Sequence, residues 1–501
     1  MTETFATANA CIPCHTTRHH SGRIVSLLVA LVTAATAFVL ISSGEPSRVG
    51  AAAATSSYVA VTPTRLFDTR GGAALQAKEV REFQITEGVV PAAATAVMLN
   101  VTATRSLGNG YLQVFPTGRA GVDTSSTLNL DFAGQTIPNG AFAPLGDGGK
   151  ISIYTTFPTD ILIDVFGYFV PAASATAGRF VPLTPTRILD TRINLGWTAP
   201  APIPPPATPP PATPTPPGNP GDTKNCLDFA TQAAAQVWFD TYFPFYGDIA
   251  KLDGNGDGIA CESRPLMAPL RSEALVSART TIPLQVSGAG GVPTSGVSAV
   301  VMNVTAAGPT SDGFVQVSPS GITVGDTSNL NPEKNRTIAN LVVVPLGVGG
   351  RVDVKTYLYE LTGTVDLLAD VVGYFTDGTA PSSTAGLFVP IAPTRALDTR
   401  QPSPRPEVGA GQTVDVNFAS VAPGAAAIAG NLTSAGGGPG GFLQLAPAIG
   451  VPGASSSLNT SYEDQTIANA VVSPITAGGT AQIYTYGPTH MILDVTGWFT
   501  G

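Results

Sequence analysis

FVPLTPTRILDTR at residues 180–192 is repeated as YVAVTPTRLFDTR at 58–70 and as FVPIAPTRALDTR at 388–400. Three openings of one kind mean three domains of one kind. Each is answered downstream by a closing phrase: IDVFGYF at 163–169, ADVVGYF at 369–375 and LDVTGWF at 493–499. The first and third pairs enclose about 110 residues, an ordinary domain length, whereas the second encloses about 195. The middle copy therefore carries an insert.

Between opening and closing, the first copy reads as short strands separated by turns, at 58–61, 79–85, 96–104, 111–115, 126–130, 150–155 and 160–169. Such spacing predicts a β-sandwich or jelly roll. Val97, Leu99 and Val101 alternate onto one face of their strand, and Ile151 and Ile153 onto one face of theirs. The expected fold is mostly β, with three sandwich or jelly-roll-like repeats, the second interrupted by a small helical module. The expected boundaries are 55–170 for repeat 1, 179–192 plus 266–376 for repeat 2, and 387–501 for repeat 3. The joins at 170–178 and 376–386, rich in Ala, Ser, Thr and Gly, predict modest flexibility.

Asp164, Asp370 and Asp494 each sit inside an apolar closing strand, where a carboxylate needs a cationic or hydrogen-bonding partner. The motif arginines Arg65, Arg187 and Arg395 are the expected partners. The motif carboxylate and threonine, Asp68 with Thr69, Asp190 with Thr191 and Asp398 with Thr399, are expected to satisfy nearby backbone at the turn; the alternative reading of these residues with Arg70, Arg192 and Arg400 is a glycan-binding or catalytic cluster. Further internal matches are Asn100-Val-Thr102, Asn303-Val-Thr305 and Asn431-Leu-Thr433, and the runs Gln135-Thr-Ile-Pro-Asn139, Arg336-Thr-Ile-Ala-Asn340 and Gln465-Thr-Ile-Ala-Asn469. The three sequons lie within strands and are not expected to carry sugar.

A net charge of −9 and a pI near 4.9 exclude a nucleic-acid scaffold, and scarce lysine excludes a polybasic membrane patch. Residues 24–42, IVSLLVALVTAATAFVLIS, follow Arg18 and Arg23 and precede a run of alanines at 51–54. Residues 1–54 are thus expected to be a signal peptide or an uncleaved N-terminal anchor, with the rest of the chain extracellular or at the cell surface. Membrane contact is expected only through that segment. Cys11-Ile-Pro-Cys14-His15 has the haem-attachment spacing but lies ahead of the export signal, which excludes that chemistry. Cys226 and Cys261 travel with the exported chain, so a disulfide between them is expected.

The insert begins with a proline-rich tract at 199–221, a polyproline II spacer. A module at 222–263 follows. Residues 226–243 predict a helix capped by Asp228, with Ala230, Ala233, Ala234 and Val237 for close packing and Trp238, Tyr242, Phe243, Phe245 and Tyr246 for a core. Then comes DGNGDGIACE at 253–262. Oxygen side chains at Asp253, Asn255 and Asp257, a glycine at the sixth position and a carbonyl from Ile259 match the first half of an EF-hand loop. Glu262 closes it at the tenth position, not the twelfth. This hard oxygen set predicts Ca²⁺.

The PTRxLDTR opening with its DVxGYF close resembles a repeat domain of secreted actinobacterial proteins, which implies an envelope or extracellular location. The insert resembles the excalibur module, an extracellular calcium-binding region with the pattern DxDxDGxxCE. That resemblance implies Asp253, Asn255, Asp257 and Glu262 as ligands and Cys226–Cys261 as a disulfide. Asn255 stands where the pattern has Asp, which removes one charge.

The function expected from these readings is a non-enzymatic envelope scaffold, adhesin or glycan-binding protein with a Ca²⁺ module; envelope glycans are the candidate partners. The alternative is a polysaccharide hydrolase using an Asp/Glu pair. A histidine-based hydrolase is disfavoured because His490 is the one histidine after residue 20, and it reads as a turn residue.

Overall fold

The computed structural model describes residues 54–119, 121–122, 124–197, 218–229, 232–254, 258–261, 275–325, 327–403 and 405–501. The expected export segment and nearly all of the proline-rich tract lie outside them. Among the described residues no helix is long and apolar enough to cross a membrane.

Repeat 1 is built from β1 (Ser56–Asp68), β2 (Val80–Gln84), β3 (Ala96–Thr104), β4 (Gly110–Pro116), β5 (Leu128–Leu130), β6 (Ile137–Pro144), β7 (Lys150–Thr155) and β8 (Asp160–Pro171). Its strands pair antiparallel as β1-β8-β3-β6 and β2-β7-β4-β5, the order of a jelly roll. Repeat 2 comprises β9 (Phe180–Asp190), β10 (Val276–Ser277), β11 (Thr281–Gln285), β12 (Val297–Ala307), β13 (Gly313–Pro319), β14 (Ile338–Pro345), β15 (Arg351–Leu358) and β16 (Thr364–Thr376). Its inner sheet is β9-β16-β12-β14 with β10 also on β16, and its outer sheet is β11-β15-β13. Helix α1 (Gln232–Tyr246) belongs to the insert between β9 and β10. Repeat 3 comprises β17 (Phe388–Asp398), β18 (Thr413–Asn417), β19 (Ala425–Gly437), β20 (Phe442–Ala446), β21 (Leu458–Asn459), β22 (Gln465–Pro474), β23 (Thr480–Thr485) and β24 (His490–Thr500). It pairs as β17-β24-β19-β22 and β18-β23-β20-β21.

The opening motif is one long strand interrupted by a bulge. The register of β1 on β8 jumps between Ala60 and Thr64, and that of β17 on β24 between Pro390 and Thr394. Pro63 and Pro393 fall in the looped-out residues, where a missing N–H costs no ladder bond. When pairing resumes, Arg65 stands opposite Asp164, Arg187 opposite Asp370 and Arg395 opposite Asp494.

The glycine of the closing motif has an equally local cause. A Cβ on Gly167, Gly373 or Gly497 would overlap the ring of Tyr58, Phe180 or Phe388, the first residue of the same repeat's opening motif. Opening aromatic and closing glycine are therefore two halves of one contact.

Odd positions of β3, Val97, Leu99, Val101 and Ala103, face the core of their own sandwich, as the alternation predicts. The even positions Ala96 and Met98 face a second core contributed by all three repeats. Here the opening aromatic of each repeat packs on the closing phenylalanine of the next: Tyr58 on Phe375 at 4.1 Å, Phe180 on Phe499 at 4.4 Å and Phe388 on Phe169 at 4.3 Å between ring centres. The pattern closes on itself, so the inner sheets surround a pseudo-threefold axis. Each buried ring contributes roughly 1.5–3 kcal/mol, which holds the repeats as one body. The joins are tied into it: Ala175 and Ser383 exchange backbone bonds of 3.0 Å, Tyr58 N donates to Gly178 O, and Phe180 N donates to Gly386 O. The joins, expected to be modestly flexible, each find a backbone partner in another segment.

Beside the aromatic core lies a ring of six asparagines. Asn340 Nδ2 donates to Asn100 Oδ1 (2.9 Å), Asn469 Nδ2 to Asn303 Oδ1 (2.9 Å) and Asn139 Nδ2 to Asn431 Oδ1 (2.8 Å). Every link crosses from one repeat to the next. The sequons at Asn100, Asn303 and Asn431 are thus buried, and their amides are engaged by protein.

Strand β6 was not among the expected elements. Its Pro138, Asn139 and Gly140 are residue types disfavoured in strands. In the structure Asn139 supplies the amide just described, and a Cβ on Gly140 would come within 3.0 Å of Leu341 O and 3.2 Å of Ala470 Cβ, its counterparts in the other repeats. Of these residues only the asparagine is common to all three repeats, since Leu341 and Ala470 stand at the place of Gly140.

Candidate functional site

The insert's helix begins later than expected. Residues Cys226–Asp228 form a 3-10 turn in which Asp228 Oδ2 accepts from Asn225 N (2.8 Å), and α1 runs from Gln232 to Tyr246. Asp228 therefore closes the turn ahead of the helix. The core also differs: Ala235 and Phe239, one helical turn apart, are buried against Ala250, Leu252, Ala260 and Cys261. Val237, Phe243 and Phe245 are exposed, while Trp238 lies partly buried beside them. The side chains of residues 230, 233 and 234 lie outside the description.

Cys226 and Cys261 form the expected disulfide, with Cα atoms 5.4 Å apart. It anchors the start of the 3-10 turn to the end of the loop. Cys261 N donates to Leu252 O (2.7 Å), drawing the loop's two ends together. Asp248, which the sequence reading did not single out, accepts from Leu252 N and Asp253 N at 2.8 and 3.0 Å. Gln236 of α1 accepts from Ala260 N (2.7 Å) and donates to Gly258 O (2.9 Å), clasping the loop to the helix. An amide and a carboxylate that bind backbone carry no motif of their own, so sequence spacing could not reveal them.

Within this frame Asp253 Oδ2 accepts from Gly258 N (2.7 Å), so the first carboxylate is turned into the loop. Gly258 has φ of 89°, a conformation that favours glycine. Ile259 follows it with its side chain exposed. Asn255, Asp257 and Glu262 lie outside the described residues. Among the described residues no three His, Cys, Asp or Glu side chains converge on a metal position. The donor set nevertheless fits a hard cation: all its side-chain donors are oxygens, and the one that is described faces the loop interior.

The repeated motif groups are engaged with one another. Arg65 pairs with Asp164 through two nitrogens, Arg187 holds Asp370 at 2.8 and 3.0 Å, and Arg395 holds Asp494 at 2.5 and 3.3 Å. Asp68 accepts from Arg70 N (3.0 Å) and from its guanidinium (2.5 Å to Nη2), capping a 3-10 turn. Thr69 Oγ1 donates to Asp160 (2.9 Å) and accepts from Ile161 N (2.8 Å). Thr191 does the same with Asp366 and Leu367 N. In repeat 3 the aspartate's place is taken by His490, whose Nδ1 lies 3.4 Å from Thr399 Oγ1, while Met491 N donates to that hydroxyl. His490 thus opens the last strand in a structural position.

The Arg70 guanidinium holds the Asp68 carboxyl down at about 2. A depressed carboxyl stabilises the fold above its unfolded value, near 4, and that contribution is lost as pH falls through about 2. The stability gap between wild type and Asp68→Asn should therefore be constant above about pH 4 and close toward pH 2. Denaturant titrations at each pH check this; a gap that does not narrow in acid would remove Asp68 as its source.

The N-terminal tandem CBM22 domains of Paenibacillus barcinonensis Xyn10C align over 45% of this chain and 85% of theirs, at 13% identity and a TM-score of 0.14. A Sulfolobus Turreted Icosahedral Virus structure aligns over 88% of this chain and 91% of its own, at 8% identity and 0.15. An archaeal virus structure described as a triple jelly roll fold aligns over 88% and 90%, at 9% and 0.14. Scores this low carry no argument. No curated protein matches the chain. Residues 223–262, the disulfide-closed segment with Asp253 turned inward, match the Excalibur calcium-binding domain.

Proposed function

We propose that this is a secreted or cell-surface, non-enzymatic protein in which a rigid three-repeat platform carries a calcium-binding module and engages envelope glycans. Asp253, Asn255, Asp257, the Ile259 carbonyl and Glu262 hold the ion. Bound Ca²⁺ supplies the charge that lets three carboxylates share one short loop. The carrying observation is the inward Asp253 carboxylate in a loop closed by Cys261 N on Leu252 O, within the segment matching Excalibur. The non-enzymatic reading is supported by the use of the repeated arginines and aspartates in ion pairs and turn caps. Extracellular location is supported by the disulfide and by the Excalibur match.

Calcium titration by calorimetry tests the module. Saturable binding is expected at about 10⁻⁴–10⁻³ M, with loss in Asp257→Ala. Heat-silent titration well beyond that range would overturn the calcium reading. Retention of the full chain on insoluble cell-wall polysaccharide tests the glycan reading, and failure to be retained would sink it.

A further inference from the structure

The boundaries between repeats contain polar groups that the fold leaves unused. Thr102, Thr305 and Thr433 are the last residues of the three Asn-x-Thr matches, on the axial face of β3, β12 and β19. They are 2%, 2% and 1% exposed, yet none of the three Oγ1 atoms has a hydrogen-bond partner. A buried hydroxyl without a partner is costly, and here it recurs in three copies. Two of these threonines line open clefts.

The cleft between repeats 1 and 2 has a volume of about 770 Å³ and is lined by Arg65, Arg70, Thr102, Phe314, Ser328 and Asn331. The cleft between repeats 2 and 3, about 440 Å³, is lined by the equivalent Arg187, Arg192, Thr305, Phe442, Ser456 and Asn459. Both volumes suit a small ligand or one segment of a polymer. At the third boundary Arg395 Nη2 reaches across to Thr124 O (3.2 Å), drawing the repeats together there.

The walls of the second cleft mainly donate; those of the first also hold Asp312, which accepts from Lys334 N, and Glu333, which pairs with Arg336. Arg70 spends Nε and Nη2 on Asp68, leaving Nη1 toward solvent on a side chain 48% exposed. Ser328 Oγ donates to Asn331 Oδ1 and Ser456 Oγ to Asn459 Oδ1, both at 3.1 Å, so each amide's nitrogen is the end left to donate. Lys334 adds a cation to the first cleft, and the exposed Tyr359 adds an apolar ring face at its wall. Guanidinium, hydroxyl and amide donors beside an aromatic face suit a ligand with carboxylate and hydroxyl oxygens on an otherwise apolar ring.

We infer that the two inter-repeat clefts bind acidic saccharide units, with the Thr102 and Thr305 hydroxyls, closed to water as they stand, turning about their Cα–Cβ bonds to donate to the sugar at the cleft floor. This rests on the glycan reading of the platform and moves its sites from the repeats to the boundaries between them. Arg70 and Arg192 face the carboxylate, and Phe314 and Phe442 face the ring.

The test is calorimetry on the full chain in calcium-free buffer, where the module takes no part, with a galacturonic-acid oligomer, a neutral galactose oligomer of equal length and inorganic phosphate. Thr102→Val/Thr305→Val keeps shape and removes the two hydroxyls. The acidic oligomer should bind at two sites, and the double variant should weaken it roughly tenfold. Its melting temperature should not fall, because an unpartnered buried hydroxyl has been removed. Equal binding of the neutral oligomer or of phosphate would overturn the acidic-saccharide assignment. Unchanged acidic binding in the double variant would overturn the cleft assignment. Retention on cell-wall polysaccharide without oligomer binding would sink this inference alone, whereas loss of both would sink the platform reading with it.

Discussion

Arg187→Met should cost the chain about 3–5 kcal/mol, the loss typical when one member of a buried ion pair is removed. Asp370 is 1% exposed at its side chain and takes two short bonds from Arg187 beside a backbone bond from Ser456. Asp190, at 4%, also loses a bond of 3.1 Å, although Arg192 still holds it. The same change in repeat 1 should be milder, because Asp68, the second partner of Arg65, is 30% exposed and water can replace what is lost. Arg187→Met/Asp370→Leu should recover most of the deficit, since an apolar pair leaves no buried charge behind. Urea titrations of the four chains decide it. A deficit under about 1 kcal/mol for Arg187→Met would mean the pair is solvated like a surface bridge. The repeats share a core about one axis, so the loss should appear as one shifted transition and not as early melting of repeat 2.

Replacing Cys226 and Cys261 by serine should unfold the module and leave the β platform untouched. The bridge closes 35 residues, a constraint worth roughly 3–4 kcal/mol in a chain-entropy account. Against it stands a core in which six buried residues are described, small for a module of about 40 residues. The disulfide also fixes Cys261, whose N–H closes the loop on Leu252, so calcium affinity should fall with it. Limited proteolysis reads the result directly. The double variant should be cut within residues 222–263 under conditions in which wild type resists, while the main thermal transition stays in place. Equal resistance in both chains would show that the helix and its clasp through Gln236 suffice.

Much of each repeat is legible in one dimension because its partners are close in the pattern. The buried aspartates of the closing strands demanded cations, and the motif arginines are the cations that meet them. Alternation in β3 placed Val97, Leu99 and Val101 on the sandwich core. The Cys226–Cys261 disulfide followed from two cysteines on an exported chain, and the oxygen-rich loop from residue type and spacing; in it Asp253 accepts from Gly258 N. The helix start, the burial of Phe239 and the clasp by Gln236 did not follow, because they depend on which helical face meets the loop.

What the sequence determined by itself is the unit: the strand alternation and the arginine for each buried carboxylate, while the proline bulge and the glycine under each opening aromatic recur in it but took their meaning from the strand register. All these pairings lie within one repeat and are written as recurring residue types. Only the tertiary structure decided the ring, in which asparagine joins asparagine across 166 to 292 residues of chain and each opening aromatic packs on another repeat's phenylalanine. The reason is physical: the even face of β3, with Asn100 and Thr102, resembles a polar, solvent-facing edge until a second inner sheet is laid against it. That contact turns Asn100 into a buried link and leaves Thr102 as a buried hydroxyl without a partner.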